Sequence, residues 1–210
     1  MFTGIIREIG TVTSAQRARG LLRVTVTAPR TADIVQPLES VAINGACLSA
    51  VSVHRPTGTI VFEVIPQTQR LTTLPSLRVG APVHVEPSLA LADRIGGHLI
   101  LGHVDERGLV VTRHQRAGEL ILGIRVGRSR WSGLLVPHGP IAVDGVSLTI
   151  GRLVARSTVT IHLIPETLRH TTLRQRRIGD GVNLEYDYLG KLVMQFLLAA
   201  RPSTPRPPPS

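Results

Sequence analysis

Alternation of apolar and polar positions dominates this chain. Leu21–Thr27 (LLRVTVT) and Thr59–Val64 (TIVFEV) alternate as a half-buried strand should. Similar runs rich in Val, Ile, Leu and Thr are broken every ten or so residues by Gly, Pro, Asn or Asp, the punctuation of an all-β domain. The expected strands are roughly 4–13, 21–28, 40–45, 47–54, 58–64 and 82–86, then roughly 99–113, 118–126, 141–145, 147–154, 157–163 and 182–187. Six short strands in each half predict two small closed barrels, which leave no sheet edge open. Helical turns are expected over Thr31–Ser40, after Pro66 (TQRLTTL) and over Arg128–Leu135. Ser88–Ile95 (SLALADRI) reads as a brief helix N-capped by Ser88 and stopped by Gly96-Gly97. Lys191–Arg201 (KLVMQFLLAAR) reads as an apolar helix that needs a partner, another subunit being the natural one. The Pro-rich tail over 202–210 is expected to be disordered.

The two halves repeat each other. Asn44–Ser49 (NGACLS) matches Asp144–Thr149 (DGVSLT) at an offset of 100, and Ile65–Leu74 (IPQTQRLTTL) matches Ile164–Leu173 (IPETLRHTTL) at 99. Gly4, Glu8 and Gly10 match Gly102, Glu106 and Gly108 at 98. Nearly constant offsets in one order mean a duplicated unit. The expected division is therefore a first barrel over 1–96, a second over 97–189, a helix over 190–201 and the tail.

Composition narrows the function classes. No run approaches the roughly 18 apolar residues of a membrane span, and MFTGIIREIG has no basic segment leading into a long apolar core, so no signal peptide is expected. A single cysteine, Cys47, makes no intramolecular disulfide and fits a reducing cytoplasm. The net charge of +10 invites a nucleic-acid reading, but the arginines are scattered and aromatic residues are only 3%, too few for base stacking.

Candidate chemistry lies where the repeats coincide. Cys47 is either a small buried hydrophobe or a nucleophile. It sits just past the Asn44-Gly45 bend, and its repeat mate Ser147 also carries a nucleophilic heteroatom. The second motif reads G-x-S-x-T and leads into a strand, which argues against a hydrolase elbow. His98 and His103 flank LILG, with Asp105 close by, but neither HExxH nor a Cys/His cluster supports a metal. His98 is expected to be structural, and His103 functional or simply exposed. Thr68 and Thr167 are expected to N-cap helices as well as to touch ligand. No P-loop or Rossmann glycine pattern is present.

Taken together, MFTGII, the NGACLS and VDGVSLT pair, GGHLILGH, and HLIPETLRHTTL followed by VNLEYD resemble riboflavin synthase of the alpha-chain type, with two lumazine-binding repeats. The likeness covers roughly 1–200 with its motifs in order, a far more specific signal than any one of them. It implies a tandem of two six-stranded antiparallel Greek-key β-barrels with short helices and a C-terminal helix. It implies a cytoplasmic homotrimer joined by those helices, and leaves room for association with lumazine synthase. The implied reaction is dismutation of two 6,7-dimethyl-8-ribityllumazine molecules into riboflavin and 5-amino-6-ribitylaminouracil by four-carbon transfer, without cofactor or metal. The implied site is a cleft between the first barrel of one subunit and the second barrel of its neighbour.

By resemblance, the first pocket uses Gly4, Ile5 and Ile6, then Cys47, Leu48 and Ser49, then Glu63, Val64, Ile65, Pro66, Gln67 and Thr68. The second uses Gly102, His103 and Val104, then Ser147, Leu148 and Thr149, then His162, Leu163, Ile164, Pro165, Glu166 and Thr167. A reaction between two copies of one substrate needs two similar pockets that nonetheless distinguish donor from acceptor. Cys47 against Ser147, Ile5 against His103, and Gln67 against Glu166 supply the difference. In that reading His103, Ser147 or Thr149 helps remove a proton from the acidic C7 methyl, and Cys47, or a water it positions, adds to the acceptor ring. Phe2 covers the ring and Asp187 orients a ribityl hydroxyl or a neighbouring base. Three positions depart from the family pattern. His138 replaces the usual lysine, Gln67 a glutamate and Ser49 a threonine, and each keeps hydrogen-bonding ability. The competing class is a non-catalytic lumazine- or flavin-binding protein of the same fold.

Overall fold

The computed structural model describes residues 1–116, 118–127, 130–154 and 157–200. The first six strands are β1 (Glu8–Ala18), β2 (Leu21–Thr27), β3 (Ser40–Ile43), β4 (Ala46–His54), β5 (Thr59–Val64) and β6 (Pro82–Pro87). They close into an antiparallel barrel in the order β1-β2-β5-β4-β3-β6. The second set is β7 (Glu106–Arg116), β8 (Glu119–Arg125), β9 (Pro140–Val143), β10 (Val146–Val154), β11 (Thr158–Leu163) and β12 (Gly181–Tyr186), closed in the same order. Both repeats place a register shift early in their first strand, at Val12/Ser14 and Val110/Thr112. Such bulges sharpen the bend that closes a small barrel.

The alternation seen in the sequence becomes the barrel interior. Val24, Val26, Ile60, Phe62 and Val64 point inward in the first barrel, and Leu122, Ile124, Val159, Ile161 and Leu163 in the second. Burying each such side chain is worth about 1.5–3 kcal/mol. Short helices α1 (Pro29–Ile34), α2 (Pro66–Leu71) and α3 (Pro165–His170) each begin on a proline, whose fixed φ and missing N–H suit the first turn. No helix is long and apolar enough to cross a membrane among the described residues.

Several expectations shift. Residues 4–7 and 99–105 are not barrel strands, because each leaves its own barrel to dock on the other. Ser88–Ile95 is not a helix. Its first amides pair laterally, Ser88 N–H with the Ser40 carbonyl at 3.1 Å and Leu89 N–H with that of Met1 at 2.9 Å, so no helical ladder starts there. In the second barrel the insert after β8 is a 3₁₀ turn at Ser132–Leu134, and residues 128 and 129 lie outside the described residues. The final helix, α4, runs Tyr188–Ala199 and starts earlier than expected because Asp187 caps it, accepting from Gly190 N–H at 2.8 Å. Its outer face leaves Leu192, Val193, Phe196 and Leu197 exposed. Arg201 and the Pro-rich tail lie outside the described residues.

Candidate active site

The two barrels meet across an approximate twofold axis marked by their tightest turns. Asn44-Gly45 and Asp144-Gly145 all have positive φ, between 45° and 79°, the type I′ geometry that Asn/Asp-Gly supplies. A Cβ on Gly45 would lie 2.5 Å from Gly145 N, and one on Gly145 would lie 2.7 Å from Gly45 N. Only glycine lets the two backbones touch.

Around this axis the chain exchanges two segments between barrels. The segment before β1 crosses to the second barrel, where Ser147 N–H donates to the Gly4 carbonyl at 2.9 Å. The segment before β7 crosses to the first, where Cys47 N–H donates to the Gly102 carbonyl at 2.8 Å. The two segments pair with each other through Phe2 and Ile100 at 2.7 and 3.1 Å. Gly4 and Gly102 share φ 76°, and a Cβ on either would collide with Ser147 or Cys47 respectively at 2.5–2.6 Å.

Exchange builds two equivalent pockets. One, of about 350 Å³, is lined by Cys47, Gln67, Thr68, Gly102, His103 and Val104 among others. The other, of about 360 Å³, is lined by Ser147, Glu166, Thr167, Gly4, Ile5 and Ile6 among others. Both are large enough for a small ring system. Apart from Ile65, which lines only the first, they correspond residue for residue under the repeat. A cavity of about 600 Å³ beside Arg7, Arg30 and Glu86 shares no residue with either.

The two pockets differ in acid–base equipment. In the second, His98 Nδ1 lies 2.7 Å from Ser147 Oγ. Burial holds the His98 pKa below the imidazole norm, and the Asp187 carboxylate partly offsets this. His98 is therefore neutral at neutral pH and able to take a proton from the Ser147 hydroxyl. In the first pocket the titratable group beside Cys47 is the exposed His103.

Comparison with known proteins gives this geometry its family. The Lumazine binding domain matches the chain twice, over residues 3–88 and 101–187. The riboflavin synthase of Bacillus subtilis (strain 168) is 36% identical over 197 residues, which are 94% of this chain and 90% of that one. That of Mycobacterium tuberculosis (strain ATCC 25618 / H37Rv) is 36% identical over 206 residues, 95% of this chain and 100% of that one. The chain belongs to the riboflavin synthase family. Among solved structures, LumP complexed with riboflavin superposes with a TM-score of 0.81, covering 89% of this chain and 99% of that one at 21% identity. LumP complexed with 6,7-dimethyl-8-(1'-D-ribityl) lumazine does so at 0.79 with the same identity. At that identity the likeness establishes the shared fold.

Against this family background, exchange regroups the expected site residues. Gly4, Ile5 and Ile6, assigned to the Cys47 pocket, wall the Ser147 pocket. Gly102, His103 and Val104 wall the Cys47 pocket. The reason is the crossing of both segments over the axis. Phe2, expected over the ring, is wholly buried between the barrels with Ile100, Ala42 and Ala142. Leu48, Val64 and Leu163 belong to the barrel cores, so only their backbones can face a ligand, while Leu148 is half-buried against the second core. Glu63 pairs with Arg23 at 3.3 Å, and His162 sits 2.8 Å from a Glu119 oxygen, each across its sheet. Glu166 is drawn to Arg169 and to His170, the latter at 2.8 Å, and the Arg169 bond lowers its pKa.

The remaining assignments fall nearby or elsewhere. Ile65 and Ile164 are exposed at the starts of α2 and α3, directly before Pro66 and Pro165. Thr68 and Thr167 lie inside those helices and are not N-caps. Ser49 and Thr149 are exposed on the same strand faces as Cys47 and Ser147, outside the two pocket linings. His138 is exposed at φ 66° in the turn before β9. His98, expected to be structural, lies against Ser147 Oγ, a neighbour that sequence reasoning missed. Its signal was Gly97, where a Cβ would come within 2.2 Å of the Thr3 carbonyl and 2.8 Å of Ser147 Oγ.

Proposed function

We propose that the chain makes riboflavin by dismutation of two 6,7-dimethyl-8-ribityllumazine molecules, one held in each kind of pocket. The observation that carries this reading is a pair of pockets equivalent in size and lining but different in chemistry, Cys47 with His103 in one and Ser147 with His98 in the other. Two identical molecules exchanging a four-carbon unit need no outside oxidant or reductant. They do need to be held alike yet activated differently.

In this reading the Ser147–His98 pair takes the proton from the C7 methyl of one lumazine, His98 being neutral and desolvated for the task. Cys47 adds to the ring of the other and makes it the acceptor, with His103 at hand to move protons. Asp187 acts on His98 electrostatically and partly offsets the effect of its burial. We infer a cytoplasmic homotrimer in which the exposed apolar face of α4 is covered by its copies, so that a Cys47 pocket of one subunit meets a Ser147 pocket of the next.

The test is purified protein with 6,7-dimethyl-8-ribityllumazine alone. Riboflavin forming at half the rate of lumazine loss is the expected result. Tight binding without turnover would instead make the chain a lumazine carrier.

A further inference from the structure

Each pocket's exchanged wall is gripped from below by one buried carboxylate. Glu86, near the end of β6, accepts from Thr3 N–H at 2.8 Å, Thr3 Oγ1 at 2.9 Å and Gly4 N–H at 3.1 Å. Glu185, its counterpart on β12, accepts from Leu101 N–H at 2.8 Å and Gly102 N–H at 2.9 Å. Both are almost fully buried, and neither belongs to a pocket lining around Cys47 or Ser147. What they hold does belong there: Gly4 bonds Ser147 and Gly102 bonds Cys47 through the backbone. A carboxylate that accepts two N–H bonds grips, whereas its protonated form presents a competing donor.

The repeats treat the two carboxylates differently. Glu86 has a cation from its own repeat, since Arg7 acts on it electrostatically. The position equivalent to Arg7 in the second repeat is Asp105, whose charge works against Glu185. The balancing cation there arrives from the C-terminal helix. Lys191 Nζ lies 2.5 Å from Asp105 Oδ2, which also accepts from Tyr186 N–H at 2.8 Å, and Lys191 favours the charged form of Glu185. Lys191 and Asp105 are nearly buried at 12% and 11% side-chain exposure, so water screens them weakly.

We propose that Glu185 is a positioning residue for the Cys47 pocket and that Lys191, delivered by α4, keeps it in the ionised form that grips Gly102. Seating of the last helix and competence of a pocket in the other barrel are thereby linked. Burial together with Asp105 outweighs the bonds and Lys191 and raises the Glu185 pKa to about 7, so the grip is poised where a nearby charge decides it.

The sole cysteine makes the grip measurable without turnover, so the thiol readout stands even if the proposed reaction, on which only the functional consequence rests, fails. The measurement is the rate of Cys47 modification by 5,5′-dithiobis(2-nitrobenzoate) from about pH 6 to about pH 9, each variant divided by wild type. Lys191→Met is expected to raise the release midpoint by roughly one unit, taking the released fraction near pH 7.5 from about a quarter to about three-quarters. With the released form reacting about tenfold faster than the gripped one, the rate ratio peaks at about threefold near pH 8 and returns to unity at both pH extremes. Asp105→Asn, which breaks the same ion pair, is expected to move the midpoint the other way and slow modification. Lys191→Arg should track wild type. Where riboflavin forms, the acid limb of kcat/KM is expected to shift with the thiol profile. Equal-direction shifts in Lys191→Met and Asp105→Asn, or a ratio independent of pH, would mean the ion pair merely braces the helix and would overturn the proposal.

Discussion

His84 ties the barrels together in a way that acid should undo. Its ring is almost wholly buried, with Nδ1 2.8 Å from the Asp144 carbonyl and Nε2 2.7 Å from Thr172 N. Thr172 N–H can only donate, so Nε2 is the bare acceptor and Nδ1 carries the proton given to Asp144. A second proton would set two donors against each other and bury a charge, and burial accordingly lowers the His84 pKa, the Asp144 charge only partly opposing it. The unfolded chain takes up that proton near the ordinary imidazole value of 6.5 while the folded one resists. Stability is therefore lost as pH falls below 6.5, at about 1.4 kcal/mol per unit until the folded pKa is reached. Between about pH 6.5 and about pH 5 that is at most about 2 kcal/mol, a large part of a stability of roughly 5–15 kcal/mol. Asn183 occupies the equivalent place in the other repeat, accepting from Thr73 N–H at 2.7 Å and donating to the Asn44 carbonyl at 2.8 Å without titrating. His84→Asn should copy it. Urea unfolding of both proteins at about pH 7.5 and about pH 5 isolates the residue, because the two buried glutamates act oppositely but equally in each. Their pKa values are raised, so their contribution is present in acid and fades as pH rises, for Glu185 through about 7. The variant should gain on wild type at the lower pH, by up to about 2 kcal/mol. A stability difference that is the same at both pH values would refute the argument.

Other expectations are quicker to check. Gly45→Ala forces a Cβ to within 2.5 Å of Gly145 N at φ 79° and should lower stability by about 2 kcal/mol or more, read from the urea midpoint. Ser147→Ala and His98→Asn should each cut kcat by about a hundredfold, and the double variant little further, since the two act as one unit; additive losses would separate them. Cys47→Ala should abolish riboflavin formation while equilibrium lumazine binding survives, and unchanged turnover would remove its covalent role. His103→Gln should slow turnover with little change in lumazine affinity, and full activity would leave His103 without a part in proton movement.

Much of the fold was legible because a barrel strand repeats the same instruction at every second residue, and Phe62 or Ile124 leaves no doubt about which face is inside. The duplication was equally plain, since Asn44-Gly45 and Asp144-Gly145 can only be tight turns. What the repeat could not reveal is which copy of each motif serves which. Gly4 and Gly102 stand in equivalent places, so sequence equivalence is satisfied equally by segments that stay with their own barrel and by segments that cross. The choice is made by close approach in three dimensions. Gly45 and Gly145 let the barrels touch, the segments before β1 and β7 then lie nearer the neighbour's turn than their own, and Glu86 and Glu185 bury their carboxylates to hold them there. The crossing also explains why His98 escaped notice. It belongs to no repeated motif, and its meaning depends wholly on Ser147, 49 positions away. Duplication gives two alike pockets, and what makes them unlike is Cys47 against Ser147 and His103 against Ile5 at matching places, with His98 added beside Ser147.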